Sequence, residues 1–281
     1  MDGCKPDAAF HTEVGPVRKN NEDAALCLLD KGLFIVADGM GGAAAGEVAS
    51  AIAVNTLSML ADCCATLRET LASENPDFFE NLGTPDADDT LRQYIDALAD
   101  DVPRTEEFLI TMVMMIAHWR ILREVLKKPQ LTGMGTAAVA AWIKDCTAFI
   151  GHVGDCRVYH ERGGVLTRLT NDHSLVGTLV RAGKISEAES LRHPMKNLLT
   201  QVLGGEATPV PEVLSCDIQP SDRLLLCSDG VWGGLKDEEI GVSLMEKLPP
   251  LVTSMRLVRA AYRGGSKDNA TALTITVGVN K

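Results

Sequence analysis

The chain has no surplus of positive charge. Against 38 acidic residues it sets 27 lysines and arginines, a net charge of −11, which argues against nucleic acid or an anionic membrane surface as its main partner. It also lacks a long apolar run: the most hydrophobic stretch, "FLITMVMMIAHW" (108–119), falls well short of the roughly 20 residues that span a bilayer. The N-terminal "MDGCKPDAAF" has no basic-then-apolar leader pattern. Eight cysteines occur, none in a C-x-x-C pair and most within apolar stretches, so they are expected as buried thiols in a reducing compartment. A soluble cytoplasmic protein is the expectation. No internal repeat or clear linker is visible.

Charge is unevenly spread. Residues 73–107 hold eleven acids and two arginines, nine of the eleven net negative charges. That segment reads either as a solvated excursion or as a docking surface for a basic partner.

Apolar runs of strand length come in pairs. "AALCLL" (24–29) and "LFIVA" (33–37) flank the turn "DKG"; "TAAVAAWI" (136–143) and "TAFIGHV" (147–153) flank "KDC"; "CRVYHE" and "VLTRLT" flank "RGG". "RLLLCS" (223–228) and "ATALTITVGV" (270–279) read as further strands, while helical spacing covers 46–60, 105–127, 236–247 and 250–263. Residues 174–215 read as irregular to helical. Hairpins with helices between them predict stacked antiparallel sheets flanked by helices, not a doubly wound parallel sheet.

Acids sit at the strand ends. The residue before the first strand of a hairpin and the residue after the second share its open end. Glu22 and Asp23 are thereby brought beside Asp38, and Gly135–Thr136 beside Gly154–Asp155. Asp229 follows "RLLLCS", and Asp268–Asn269 precede the last strand. Clustered carboxylates repel one another and are costly to bury unpaired. With oxygen donors and no His or Cys cluster at zinc spacing, the ions that would relieve them are Mg²⁺ or Mn²⁺. Any one of these acids alone reads more simply as a turn cap; their convergence on one edge favours a metal site. Gly39 would then leave room for a carbonyl ligand and waters.

These residues resemble the protein phosphatase 2C (PPM) family of metal-dependent Ser/Thr phosphatases, and its bacterial branch in particular. The similarity lies in "GPVRKNNEDA", "VADGMGGAAAGEVAS", "GMGTAAVAAW", "GHVGDCRVY", "LTNDHSLV", "LLLCSDGVW" and "SKDNATAL", which run in family order from about residue 12 to 277. The resemblance implies one catalytic domain over 1–281, an α+β, four-layer αββα sandwich, with a flap-like segment at about 174–215 and the acidic insertion at 73–107. It implies two Mn²⁺ or Mg²⁺ ions, a third being held more weakly, and hydrolysis of phosphoserine and phosphothreonine through a metal-bridging hydroxide. Asp38 would bridge the metals, with the Gly39 carbonyl, Glu22, Asp229 and Asp268 completing their ligands and Asp155 joining Asp229 at the third. Asp23 would stand behind Glu22, Asn269 would orient the surrounding groups, and Arg18 would bind the substrate phosphate. Partners would be phosphoproteins and a cognate Ser/Thr kinase, with a monomer expected and no nucleic acid or membrane.

Departures from the family pattern are Met40, which cannot donate a proton where many members carry a histidine, Ala137, Cys156, and Glu13, where an aspartate is common. Two other readings stand beside this one. "CRVYHER" (156–162) fits the C-x₅-R of cysteine phosphatases, although its intervening residues are bulky and strand-forming. A phosphoprotein-binding module on the same fold would need no turnover. In the flap-like segment Arg181, Lys184, Arg192 and Lys196 either dock phosphoproteins or form a solvated helix face. His173 and the tryptophans Trp119, Trp142 and Trp232 are expected to be packing or turn residues rather than catalysts.

Overall fold

The three hairpins form where the turn signals place them in the computed structural model, which describes residues 4–41, 45–61 and 105–279. The first joins β2 (Asp23–Leu28) to β3 (Leu33–Met40), the second β4 (Gly135–Lys144) to β5 (Thr147–Val153), the third β6 (Arg157–Arg162) to β7 (Val165–Arg168). In the second turn Asp145 and Cys146 both take positive φ, 45° and 65°, the twist-matched geometry of a two-residue hairpin loop. Strands β9 (Arg223–Cys227) and β10 (Ala270–Val279) also fall as expected.

Two strands were not visible in the sequence. β1 (Cys4–Glu13) pairs antiparallel with β10, and β8 (Glu212–Asp217), within the segment read as irregular to helical, pairs with β5. They complete two five-stranded antiparallel sheets, ordered β1-β10-β9-β6-β7 and β2-β3-β4-β5-β8.

The central strands are apolar on both sides because both sides are covered. Leu33, Ile35 and Ala37 of β3 pack with Ala138 and Ala140 of β4 toward helices α1 (Gly46–Leu57) and α2 (Glu106–Lys127). The alternate residues Phe34, Val36, Val139 and Ala141 meet Leu224, Leu226, Leu273 and Ile275 of the other sheet. That sheet turns Leu225, Cys227 and Ala272 outward to Leu257 and Val258 of α7 (Pro250–Arg263) and to Ile240 and Leu244 of α6 (Asp237–Met245). The period-two alternation of two strand sets thus builds an αββα sandwich. Helices α3 (Leu175–Arg181), α4 (Glu187–Ser190) and α5 (Asp229–Trp232) are short. Among the described residues no helix is long and apolar enough to cross a membrane.

The expectation of reduced cysteines throughout is corrected at one pair. Cys4, at the start of β1, is disulfide-bonded to Cys146 in the β4–β5 turn, with Cα atoms 5.0 Å apart. The bond ties one sheet to the other. Cys27, Cys156, Cys216 and Cys227 are free thiols. Residues 73–104 of the acidic segment lie outside the described residues.

Candidate metal centre

Five of the sequence-predicted carboxylates face one cavity. Asp38 nears the end of β3, Asp155 follows β5, Asp229 follows β9 and opens α5, Asp268 precedes β10, and Glu22 precedes β2. Together with Arg18, Gly39 and Met40 they line a hollow of about 480 Å³ at one end of the sandwich. In the β2–β3 register Asp23 lies directly opposite Asp38, at the open end of the hairpin.

Asp23 itself lies behind the cavity wall. Its Oδ2 accepts hydrogen bonds from Thr271 Oγ1 at 2.6 Å and Ser228 Oγ at 2.8 Å, while its buried Oδ1 has no partner. Burial pushes its carboxyl up to about 7. Burial likewise raises Asp229 to about 6, with Asp268 adding to the rise and a hydrogen bond from Asp38 opposing it. Asp38 and Asp155 are held well above the ordinary carboxylate range, first by burial and then by neighbouring aspartates. Glu22 is raised by burial against the opposing pull of Arg18. This is the electrostatic condition a divalent cation relieves: several desolvated carboxyls whose ionised forms repel one another. Oxygen donors alone suit a hard ion such as Mg²⁺ or Mn²⁺.

Glycine is required here by close packing. A Cβ on Gly39 would lie 2.1 Å from the Gly46 carbonyl oxygen and 2.7 Å from that of Glu22. The bare pair Gly39–Gly46 lets the N-terminus of α1 settle against the end of β3, beside both acids. The Gly39 N–H donates to the Glu22 carbonyl at 3.1 Å, and Thr136 Oγ1 donates to the Asp38 carbonyl at 2.7 Å.

Asn269 organises the Arg18–Glu22 loop. Its Nδ2 donates to the carbonyls of Val14 and Asn20, at 2.8 and 2.9 Å, and its Oδ1 accepts from the Glu22 amide at 2.9 Å. Arg18 stands at the mouth, about half exposed, with Nη2 2.7 Å from Asp268 Oδ2. That hydrogen bond raises its guanidinium above the ordinary value.

Two residues expected from the sequence to serve only packing or turns position an acid of the cavity. The indole of Trp232 donates to the Asp155 carbonyl at 3.0 Å and stacks under the Arg157 guanidinium, 3.7 Å from its ring centre. His173 grips Gly154 twice: its amide donates to the Gly154 carbonyl at 2.7 Å, and its Nδ1 accepts from the Gly154 amide at 3.3 Å. Gly154, at φ 101°, has no room for a Cβ, which would fall 2.4 Å from that of Ala137. Asp155 is therefore delivered to the cavity by a backbone fixed on both sides.

Ligand-capable atoms of His152, His173 and Glu212 all lie within 4.8 Å of one another. They do not read as a metal site. The Gly154 amide occupies Nδ1 of His173, which leaves the ring proton on Nε2, facing Glu212 Oε2 at 3.5 Å. Of the three, His173 clamps the backbone before Asp155, and Glu212 stands partly exposed beside it.

The cysteine-phosphatase reading is overturned. Cys156 is fully buried, its thiol is pushed well above the ordinary range by burial, and the residues that follow it form strand β6. A nucleophilic thiolate needs the opposite surroundings. Of the four flap cations, Lys196 alone borders the hollows around the acids; Arg181 instead donates to the Asp172 carbonyl.

Comparison with known proteins points to one family. A family model described as protein phosphatase 2C matches residues 17–264. The serine/threonine phosphatase stp of Listeria monocytogenes is 33% identical over 271 residues, covering 95% of this chain and 94% of its own. The serine/threonine protein phosphatase PstP of Mycobacterium tuberculosis is 32% identical over 270 residues, 96% of this chain but 44% of that longer protein. Among solved structures, the PstP catalytic domain in complex with two manganese ions superimposes with a TM-score of 0.75 at 29% identity, covering 97% of this chain and 98% of that one. Stp1 of Staphylococcus aureus reaches 0.77 at 26% identity, covering 98% and 97%.

Proposed function

Because the chain belongs to the protein phosphatase 2C family, we propose that it hydrolyses phosphoserine and phosphothreonine monoesters of proteins with Mn²⁺ or Mg²⁺, reversing the work of a Ser/Thr kinase. The observation that carries this reading is the convergence of Glu22, Asp38, Asp155, Asp229 and Asp268 on one cavity, with Arg18 at its mouth.

Asp38, the Gly39 carbonyl, Glu22, Asp229 and Asp268 would hold the proposed pair of ions, and Asp155 with Asp229 would hold a third. Bound there, the cations supply an activated water and neutralise phosphoryl charge, in a reaction whose uncatalysed rate leaves up to about 10²¹-fold to be gained.

The chain's own groups do the rest. Arg18 presents a planar fork to two phosphoryl oxygens once its hold on Asp268 loosens. Asp23 keeps Ser228 and Thr271 in place beneath Asp229 and the start of β10. Asn269 fixes the loop that carries Arg18 and Glu22. Trp232 and His173 hold Asp155. Met40 borders the cavity without a proton to give, so the leaving alkoxide takes its proton from water.

A phosphothreonine peptide assayed with Mn²⁺, with Mg²⁺ and with EDTA tests the reading. Turnover should require metal, fall by at least about 10²-fold in Asp38→Asn, and persist in Cys156→Ser. Turnover that survives EDTA and Asp38→Asn would refute it. A folded protein with no turnover under any metal would point to the binding module.

A further inference from the structure

Beyond Asp229 and Asp268 the main cavity opens into a second hollow of about 440 Å³, the two sharing Arg18, Asn197, Asp229 and Asp268. Two further cations stand on its walls. Lys196 comes from the flap-like segment, and Lys267 from the loop before β10, immediately preceding Asp268. Both are exposed, and neither ammonium group forms an ion pair with any described carboxylate. Gly230, Gly233, Gly265 and Ser266 supply a wall with almost no side chains, where an extended main chain can approach closely.

The charge layout is asymmetric. The aspartates of the second hollow are the two it shares with the main cavity, where the proposed ions draw on them, and Arg18 is engaged by Asp268 at 2.7 Å. Neither lysine is closed into an ion pair, although Lys196 lies near enough to Asp229 to favour that carboxyl's ionised form. Solitary surface lysines are ordinary, but these two, from segments distant in sequence, converge on one hollow continuous with the reaction site. We infer that this hollow is a subsite for a carboxylate side chain of the substrate, an aspartate or glutamate flanking the phosphorylated residue, held by Lys196 and Lys267. The inference rests on the hydrolase reading of the main cavity and specifies its substrate. An extended peptide advances about 3.3 Å per residue, and the two hollows share four lining residues, so the acid is sought within the few residues on either side of the phosphothreonine. Asn197, bordering both hollows, marks the crossing point of the peptide.

The test compares three phosphothreonine peptides on the full chain with Mn²⁺, flanked by Glu, Ala or Lys at those positions. In the wild type kcat/KM should favour the Glu-flanked peptide over the Ala-flanked one by about threefold to tenfold, the range of one or two exposed ion pairs. The preference should shrink toward unity at about 0.5 M salt, where the Debye length is only a few ångström. The double variant Lys196→Glu/Lys267→Glu should reverse the order and favour the Lys-flanked peptide, a change that general loss of activity cannot mimic. Equal kcat/KM for all three peptides in the wild type, or an unchanged order in the double variant, would overturn the subsite while leaving the hydrolase reading intact. Silence of all three peptides would remove both.

Discussion

Replacing Gly39 by alanine is the most informative small change in this molecule. The added Cβ would lie 2.1 Å from the Gly46 carbonyl oxygen, 2.5 Å from the Gly46 carbonyl carbon and 2.7 Å from the Glu22 carbonyl oxygen. A relaxed carbon–oxygen contact is more than 3 Å, so the end of β3 and the start of α1 must part by about 1 Å. These obstacles are backbone atoms of a helix N-terminus and of the residue before a strand, and neither can swing aside as a side chain would. Overpacking of this kind costs about 1–3 kcal/mol. At 2–4 °C per kcal/mol for a domain of this size, the melting temperature should fall by about 2–12 °C.

The functional cost should be disproportionate, because the displaced atoms carry Asp38 and Glu22. A 1 Å misplacement of reacting groups is worth about 10²-fold. Melting curves and Mn²⁺-supported peptide turnover on one preparation give both numbers. Gly163→Ala is the control: at φ 59° it is strained, but no atom lies within 4 Å of its new Cβ in the β6–β7 turn. It should cost about 1–2 kcal/mol with turnover intact. A Gly39→Ala protein with wild-type melting and wild-type turnover would refute the packing argument.

Two further outcomes follow from groups remote from the cavity. His118 is fully buried on α2, Nδ1 accepting from the Gly204 amide at 2.9 Å, and burial lowers its imidazole to about 4. The unfolded chain binds that proton near 6.5 and the folded one does not, so stability present above pH 6.5 is lost as pH falls toward 4. The loss from this group between pH 7.5 and 5 is about 2 kcal/mol, and denaturant titrations of His118→Gln should show a profile flatter by that amount; parallel profiles would contradict it. The Cys4–Cys146 bond closes a loop with a sequence separation of 142, for which chain-entropy reasoning allows about 5 kcal/mol and experience about 2–4. Cys4→Ser, or reduction of the native protein, should lower the denaturation midpoint accordingly, and an unchanged midpoint would show that the bond does not staple the two sheets.

What could be read from the sequence was set by how local the geometry is. Hairpin topology is local, so the placing of Asp23 opposite Asp38 followed from two apolar runs and a turn. Glycine beside Asp38 read in the sequence as room for a carbonyl ligand and waters; the crowding that requires it comes from Gly46, on a helix whose docking no pattern reveals. β1 escaped notice because "CKPDAAFHTE" mixes polar and small residues, and much of it is only half-buried. β8 follows a long irregular segment and has no completely buried residue. The supports of Asp23 lie 205 and 248 residues away, at Ser228 and Thr271. Cysteine spacing gave no sign of a bond between residues 4 and 146, which meet only once the two sheets stack.

Calorimetric titration of the full chain with Mn²⁺ at pH 6.5, in two buffers of different ionisation enthalpy, tests the central claim most directly. Burial raises the carboxyls of Asp23, to about 7, Asp229, to about 6, and Asp38 and Asp155, above the usual range, so the protons this cluster retains should be released when cations enter. The account predicts at least two Mn²⁺ per chain, net proton release, and a lower stoichiometry in Asp38→Asn. Binding of one ion or none, or a titration that Asp38→Asn leaves unchanged, would contradict it.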